Sequence, residues 1–170
     1  LDQNKLIISV AACVTLDLLE TYLGDRNYQI IRIIPNVPVA YSEGVIGWLD
    51  NGKVKKDSLA DFKKLFSHLG LLVHCSNDNK LEKLSMIAGC GIGYVAYFMK
   101  NLQMAVEKYG FSNEDAQKIS WTVFSSTVNH LKKTGQTQDE LITSVATKGG
   151  ITEEVLNSLN RGKFFDLFFQ

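Results

Sequence analysis

The chain has 170 residues, of which 45% are hydrophobic and 21% charged, so it has enough apolar material for a folded core and is too apolar for a disordered segment. Its 18 basic and 18 acidic residues give a formal net charge of zero, so no overall field attracts nucleic acid or an anionic membrane.

The cysteines and histidines are scattered. Cys13, Cys75 and Cys90 form no CxxC pair, which argues against a disulfide framework and a zinc site, and no metal is expected. The longest apolar stretch, residues 6–14, is far shorter than the roughly 20 residues of a membrane span, and it has no signal-peptide pattern. These features predict a cytoplasmic protein that binds neither membrane nor nucleic acid. Because the chain starts at Leu1 and not at Met, we expect a fragment.

Residues up to about 75 alternate short apolar runs with amphipathic stretches. Branched runs predict strands, and a Thr15 cap with Gly24 behind it predicts the first helix. The predicted strands are residues 6–11, 29–34, 45–49 and 71–74, and the predicted helices are residues 15–23 and 58–69. This alternation predicts a mainly parallel sheet covered by helices.

Beyond Cys75 the pattern is helical only. Apolar residues recur three or four apart, Ser112 and Thr137 each start a capping-box pattern, and acidic residues fill the first turn of the last helix. The predicted helices are residues 84–109, 112–133, 137–145 and about 152–161. Gly110, Gly135 and Gly162 follow the ends of the first, second and fourth of them. The glycine-dense residues 89–93 lie inside the first of these helices, so they are no dinucleotide-binding turn, which needs a strand before it.

Four segments, in matching order and spacing, are similar to the pyrroline-5-carboxylate reductase family. They are residues 9–15 (SVAACVT), 32–38 (RIIPNVP), 88–95 (AGCGIGYV) and 145–152 (VATKGGIT). They resemble, in turn, the family's strand and small-residue loop, its Arg-x-x-Pro-Asn-Thr-Pro stretch, its Ser-Gly-Ser-Gly-Pro-Ala-Tyr-Val segment and its Val-Thr-Ser-Pro-Gly-Gly-Thr-Thr loop. The resemblance covers nearly the whole chain.

The resemblance implies a fold and a reaction. The fold would be an α/β remnant of a Rossmann-type domain over residues 1–76, followed by an all-α helical dimerisation and substrate-pocket domain over residues 77–170. The reaction would be the NAD(P)H-dependent reduction of a small cyclic imino acid to proline by a homodimer or higher homo-oligomer with interlocking helices. The glycine-rich turn that seats the cofactor's pyrophosphate is missing, so the chain by itself is expected to be inactive.

The strand-ending loops are the candidate cofactor site, because ligands of open α/β sheets bind at the carboxyl ends of the strands. Small side chains allow close approach there, and an asparagine offers amide hydrogen bonds. We expect NADP or NAD to contact Ala11, Ala12, Cys13, Pro35, Asn36 and Pro38. The alternative is a pair of simple strand-ending loops.

The twin glycines before the last helix are the candidate substrate site. Their backbone N–H groups, at the positive end of that helix, would form a cradle for the carboxylate of a small anionic substrate. By resemblance, Thr152 is the catalytic residue and donates a hydrogen bond to the imine nitrogen; alternatively it is an N-cap. The substrate-binding residues implied are Thr147, Lys148, Gly149, Gly150, Gly89 and Cys90. Cys90, with no histidine near it in sequence, has the alternative of a packing residue.

Departures from the family pattern leave other functions open. Ala88 and Cys90 replace serines, Ile92 and Lys148 replace prolines, and the KGGIT wording resembles the competence-associated ComER group of paralogues. A non-catalytic or regulatory dimerising paralogue is therefore the main alternative. A hydroxyacid dehydrogenase would need a catalytic lysine near an asparagine; residues 100 and 101 are such a pair but lie on different parts of the helix surface.

Apolar crowding predicts a dimer independently of the resemblance. Tyr97, Phe98 and Met99 follow one another on the long helix, and four phenylalanines fall within residues 164–169. Contiguous apolar surface of this kind usually marks an interface. The alternative is a fully internal helix in a compact bundle.

Overall fold

The structure, a computed structural model, describes residues 5–24 and 27–162. Strands and helices alternate first, and helices alone follow, in the predicted order. The strands are β1 (Leu6–Ser9), β2 (Gln29–Pro35), β3 (Gly44–Asp50) and β4 (Gly70–His74). The helices are α1 (Leu16–Leu23), α2 (Lys56–Phe66), α3 (Asp78–Lys108), α4 (Asn113–Thr134), α5 (Gln138–Val145) and α6 (Ile151–Arg161), with short 3-10 turns at Val37–Tyr41 and Ser67–Leu69.

The chain divides into two compact units, Leu1–Phe98 and Met99–Gln170. The boundary falls within α3, a helix of 31 residues, so this helix contributes to both units. The boundary predicted from sequence, between residues 76 and 77, follows the change from strands to helices and stays a prediction about domains.

The four strands form one sheet in the order β1-β2-β3-β4. The outer strands β1 and β4 run parallel to their neighbours, but β2 and β3 run antiparallel to each other. Two of the three strand pairs are therefore parallel, as predicted for a mainly parallel sheet, and the central pair is the exception. The cause is the connection over residues 36–43, which contains the turn Val37–Tyr41, because a parallel return needs a crossover of about a dozen residues.

Side chains of β2 alternate between the two faces of the sheet. On one face, Ile31 and Ile33 pack with Trp48 and Phe62 beneath α2. The core on the other face contains Leu16, Tyr28, Ile30, Leu49, Cys75 and Leu81, from α1, the residue before β2, the sheet, the segment after β4 and α3. The same alternation places Arg32 on the face covered by α1 and α3.

A glycine lets α3 approach the sheet closely. A Cβ on Gly47 would lie 2.5 Å from the Leu81 side chain and 3.0 Å from that of Leu84. α3 begins at Asp78 and not at the predicted Leu84. The apolar repeat does not reveal this start, because the first turns are polar apart from the fully buried Leu81. The sequence pattern thus missed two turns that carry charged residues.

Capping chemistry determines most helix ends, and these predictions are confirmed. A side-chain oxygen accepts a backbone N–H at each predicted N-cap, namely Thr15, Ser112 and Thr137. Thr137 and Glu140 form the complete capping box. The predicted glycines stand just past the helices, at Gly24, Gly110, Gly135 and Gly162. None of the helices within the described ranges has an apolar stretch long enough to span a bilayer.

The second unit leaves most of its apolar side chains exposed. In its described part, residues 99–162, only Ala116 and Ser120 are buried, and the Ser120 hydroxyl donates to the Met99 carbonyl at 2.7 Å. Exposed large apolar residues of this part include Trp121, Val123, Val128, Ile142, Val145, Ile151 and Val155. In the first unit Tyr97 on α3 is also exposed, so the alternative of a fully internal long helix is wrong for this chain. The phenylalanine-rich residues 164–169 lie outside the described residues.

Candidate functional site

One rim of the sheet is the place where β1 and β2 end and where β3 and β4 begin. The rim loop, residues 10–15, leads from β1 into α1. Ala11, Ala12 and Cys13 are exposed in it, and the Ser9 hydroxyl accepts the Ala11 N–H at 3.3 Å. Cys13 has a φ of 60°, in the left-handed region that few non-glycine residues adopt. The rim loop therefore offers small side chains on a constrained backbone that a ligand can approach closely.

The end of β2 brings the second group of predicted cofactor residues to the same rim. Pro35 is exposed and Pro38 is half-buried in the turn Val37–Tyr41. The Asn36 side chain joins three elements: its Oδ1 accepts the Val45 N–H at 2.8 Å, and its Nδ2 donates to the Ala88 carbonyl on α3 at 3.1 Å. The Asn36 amide, which the sequence predicts to bind a cofactor, therefore already makes hydrogen bonds within the protein through both its oxygen and its nitrogen.

The Asn36 hydrogen bond also brings the rim next to predicted substrate residues on α3. Gly89 and Cys90 follow Ala88 directly, and both are exposed. A Cβ on Gly89 would meet no atom within 4 Å. The interpretation of Cys90 as a packing residue is thus wrong for this chain taken by itself, and its role in substrate binding stays a prediction.

Arg32 is a residue that the sequence reasoning missed. It is fully buried; its Nη1 lies 2.5 Å from Asp78 Oδ1, and its Nη2 donates to the Glu82 carboxylate. Burial acts to lower the pKa of Arg32, but the hydrogen bonds to Glu82 and Asp78 outweigh burial and its pKa is raised. The signal available in the sequence was a single arginine among the isoleucines of a predicted strand. A cation in such a strand is buried and needs anionic partners.

Asp78 has a second contact. Its Oδ2 accepts the N–H of Leu16, the first residue of α1, at 3.3 Å. The start of α3 is thus tied to β2 through Arg32 and to the end of the rim loop through Leu16.

In the second unit, a turn over residues 147–150 leads into α6. The Gly150 N–H donates to the Thr147 carbonyl at 2.9 Å, and Gly149 has a φ of 74°. A Cβ on Gly150 would lie 2.6 Å from the Thr147 hydroxyl oxygen. The turn therefore requires Gly149 for its backbone conformation and Gly150 for space. Lys148, between them and Thr147, is exposed.

The N–H groups of the two glycines are occupied, contrary to the predicted cradle. The Gly149 N–H donates to the Glu153 carboxylate at 2.7 Å, and the Gly150 N–H is used in the turn. The open N–H groups are instead those of the first helical turn, Ile151 to Glu153, which have no intrahelical partner. The positive end of α6 therefore lies slightly further along the chain than predicted.

Thr152 lies in that first turn of α6 and is exposed. The N-cap is Gly150, so the alternative reading of Thr152 as a cap is wrong. Within residues 5–24 and 27–162, its hydroxyl has no hydrogen-bond partner. Among the described residues, nothing competes with a ligand for this hydroxyl.

A cavity of 360 Å³ opens near the opposite rim of the sheet, and no predicted site residue lines it. Its lining residues are Asp17, Glu20, Thr21, Leu23, Gly24, Tyr28, Ile30 and Lys53. The chemistry-bearing residues lie elsewhere, at the rim in the first unit and at the α6 turn in the second, and we treat these as two separate candidate sites.

The described residues hold no group of three His, Cys, Asp or Glu side chains that could bind a metal ion. Among the thiols, Cys13 and Cys90 are exposed, whereas burial raises the pKa of Cys75. Cys75 is a core residue.

The fold and the rim define a class: a small mixed α/β sheet of Rossmann type, joined through one long helix to an all-helical unit. Residues 78–170, more than half of the chain, match the family model for pyrroline-5-carboxylate reductase dimerisation. The chain belongs to the pyrroline-5-carboxylate reductase family. The resemblance drawn from four motifs and the fold class that it implied are thereby confirmed.

Individual relatives agree with this assignment. A pyrroline-5-carboxylate reductase of Aquifex aeolicus is 29% identical over 163 residues, which cover 96% of this chain and 61% of the relative. The solved reductase of Coxiella burnetii superposes with a TM-score of 0.87 at 30% identity, covering 96% of this chain and 60% of that one. The pyrroline carboxylate reductase of Plasmodium falciparum, solved with NADP bound, has a TM-score of 0.84 at 27% identity, covering 94% and 64%. The chain thus spans roughly three fifths of the length of these proteins.

Proposed function

We propose that the protein containing this chain is an NAD(P)H-dependent oxidoreductase that reduces pyrroline-5-carboxylate, or a closely related small cyclic imino acid, to the saturated amino acid. A hydride adds to the imine carbon, the C=N double bond becomes a single bond, and the nitrogen takes up a proton. Membership of the family and the reductase names of the relatives support this reaction class.

The observation that carries the proposal is the free hydroxyl of Thr152 beside the open N–H groups of α6. The positive helix end and the nearby Lys148 would attract the substrate carboxylate. Thr152 would donate a hydrogen bond to the imine nitrogen, whose basicity rises as the C=N bond is reduced. Thr147, Gly149 and Gly150 would shape the turn, and Gly89 and Cys90 would contact the substrate.

The rim fits the nicotinamide end of NADP or NAD, which when bound supplies the hydride. Ala11 and Ala12 carry no bulk that blocks approach, and the Cys13 backbone lies in the left-handed region. Pro35, Asn36 and Pro38 complete this surface at the end of β2. No glycine-rich turn follows a strand in the described residues, so we expect the chain by itself to be inactive.

We also propose that the helical unit forms a homodimer or a higher homo-oligomer. The matched family model is named for dimerisation, and the described part of this unit buries few side chains. Exposed apolar residues on α4, α5 and α6 supply the surface that a second copy would cover.

The test is an assay of the full-length protein with pyrroline-5-carboxylate, following the oxidation of NADPH and NADH. Thr152→Ala should lower kcat/KM about a hundredfold, because a proton donor to the reacting nitrogen is lost. Ser158→Ala, which removes an exposed hydroxyl further along α6, is the matched control and should leave turnover unchanged. Equal turnover of both variants would remove Thr152 from the site.

A regulatory, non-catalytic paralogue is the second candidate. The observation that favours it is the Glu153 carboxylate on the Gly149 N–H, since one anion already sits at the turn where the substrate anion is expected. Under this alternative the full-length protein would assemble normally and turn over no imino acid with either nucleotide.

A further inference from the structure

We propose that Asp78 is a positioning residue for the rim loop, residues 10–15, and that it holds this loop in the conformation that receives the cofactor. The inference deepens the proposed function, because it rests on the cofactor role of the rim loop. Asp78 itself lies outside that loop and is 62 residues from Leu16 in sequence.

The two ends of the rim loop are anchored differently. At the upstream end β1 is held by its pairing with β2, and the Ser9 hydroxyl accepts the Ala11 N–H. At the downstream end Thr15 caps α1 by accepting the Leu18 N–H at 3.3 Å. The N–H of Leu16 is left without an intrahelical partner by the geometry of a helix start, and Asp78 Oδ2 accepts it.

Cys13 lies between these anchors with a φ of 60°. A non-glycine residue in the left-handed region is strained, and it persists only where the surrounding structure holds it. The Leu16–Asp78 hydrogen bond is a long-range contact of the downstream anchor that fixes the backbone there, beside the packing of the buried Leu16 side chain in the core. Without it, the loop can relax towards ordinary backbone angles.

Asp78 is suited to this role because its own position is defined. Its Oδ1 is 2.5 Å from the Nη1 of the fully buried Arg32, and only 24% of its side chain is exposed. It is also the first residue of α3, so one carboxylate complements the positive ends of both α1 and α3.

Glu82 provides the matched comparison. It binds the other terminal nitrogen of Arg32, but its side chain is 45% exposed and it makes no hydrogen bond to the rim loop in the described structure. Asp78→Ala and Glu82→Ala each leave Arg32 with one carboxylate. Only the first removes the bond to Leu16, and Leu16 stays buried in both, so neither variant is expected to unfold the protein.

The first measurement is hydrogen exchange at the amides of residues 10–16, for which no cofactor is needed. Loss of a hydrogen bond to a charged group should speed exchange at Leu16 by on the order of tenfold in Asp78→Ala. Glu82→Ala should exchange at these amides as the unmodified protein does. Equal acceleration in the two variants would overturn the proposal, because Asp78 would then act only through Arg32.

The second measurement uses the full-length protein with NADPH and with NADH. A loop that must be reordered on binding lowers affinity, so Asp78→Ala should raise the KM for the nucleotide about tenfold while kcat changes little. Glu82→Ala should keep the KM of the unmodified protein, and matching KM values in both variants would overturn the positioning of a cofactor loop. If the unmodified protein binds neither nucleotide, the proposed function fails, whereas the exchange contrast still decides whether Asp78 holds the loop.

Discussion

Arg32 keeps a positive charge at a position that water does not reach. Its two carboxylate partners are accessible to water, since the side chains of Asp78 and Glu82 are 24% and 45% exposed. The Nε of Arg32 is buried and has no hydrogen-bond partner within the described residues. The cation therefore depends on the carboxylates more than they depend on the cation, because they can turn towards solvent and it cannot.

This asymmetry predicts unequal losses of stability. The double variant Asp78→Asn/Glu82→Gln leaves an uncompensated buried cation and should lower the free energy of unfolding by about 3–5 kcal/mol. Arg32→Met leaves two carboxylates that are partly exposed and can be hydrated, so it should cost less, about 1–2 kcal/mol. Urea unfolding measures both.

The control for this prediction is the exposed pair of Glu114 and Lys118 on α4. Glu114→Gln should change the free energy of unfolding by less than about 0.5 kcal/mol. A loss in Arg32→Met as large as that of the double variant would contradict the prediction, because the carboxylates would then be as dependent on the pair as the cation.

The candidate site was predictable from sequence where its chemistry is local. Gly149 and Gly150 predict a turn into a helix, and Thr152 lies in the first turn of that helix. The occupation of the Gly149 N–H by Glu153 was not predictable, because a capping oxygen and a charged surface residue look alike in sequence. Neither was the bond from Asn36 to Ala88, since the two residues meet only when α3 packs on the sheet.

In the secondary-structure elements, too, local features were predictable from sequence and long-range ones were not. Most helix ends follow capping chemistry within a few residues, so Thr15, Ser112 and Gly135 were sufficient to predict them. Strand direction is different, because an apolar run reads the same in a parallel and an antiparallel sheet. The shortness of residues 36–43 was the one available signal that β2 and β3 are antiparallel.

The start of α5 is sensitive to acid, because its capping box includes the carboxylate of Glu140. The Thr137 N–H donates to Glu140 at 2.8 Å, and chiefly this bond lowers the pKa of Glu140 below its ordinary value of 4.5. A lowered pKa means that the carboxylate stabilises the folded helix fully above pH 4.5 and loses its effect as the pH falls through the lower folded value.

We therefore expect the first turn of α5 to loosen on acidification below pH 4.5, seen as a shift of the Thr137 amide resonance with pH. Glu140→Gln should flatten this dependence, because the amide does not titrate. Asp139→Asn, in the same turn but outside the capping box, should leave the profile intact. An unchanged titration in Glu140→Gln would show that another group controls the helix start.

Considered as a whole molecule, the chain buries its apolar residues unevenly. The first unit has two cores, one on each face of its sheet. The described part of the second unit buries only Ala116 and Ser120, and leaves Trp121 and Val128 on α4 exposed. These two are seven residues apart, so they share one face of the helix, and an exposed apolar face of this kind normally has a partner.

A second copy of the chain is the expected partner, and charge on this face should prevent its binding. Specific dimers bury about 1,200–2,000 Å² in total, and a carboxylate enclosed in such an interface without a partner is costly. Trp121→Glu and Val128→Glu should each convert the dimer to a monomer, measured as mass by light scattering during size-exclusion chromatography. Asn129→Glu, exposed on a side of α4 away from Trp121, Val123 and Val128, adds the same charge and should leave the dimer intact. Dimers that persist in both apolar-face variants would mean that the assembly uses another surface, since a buried carboxylate at either position could not be tolerated.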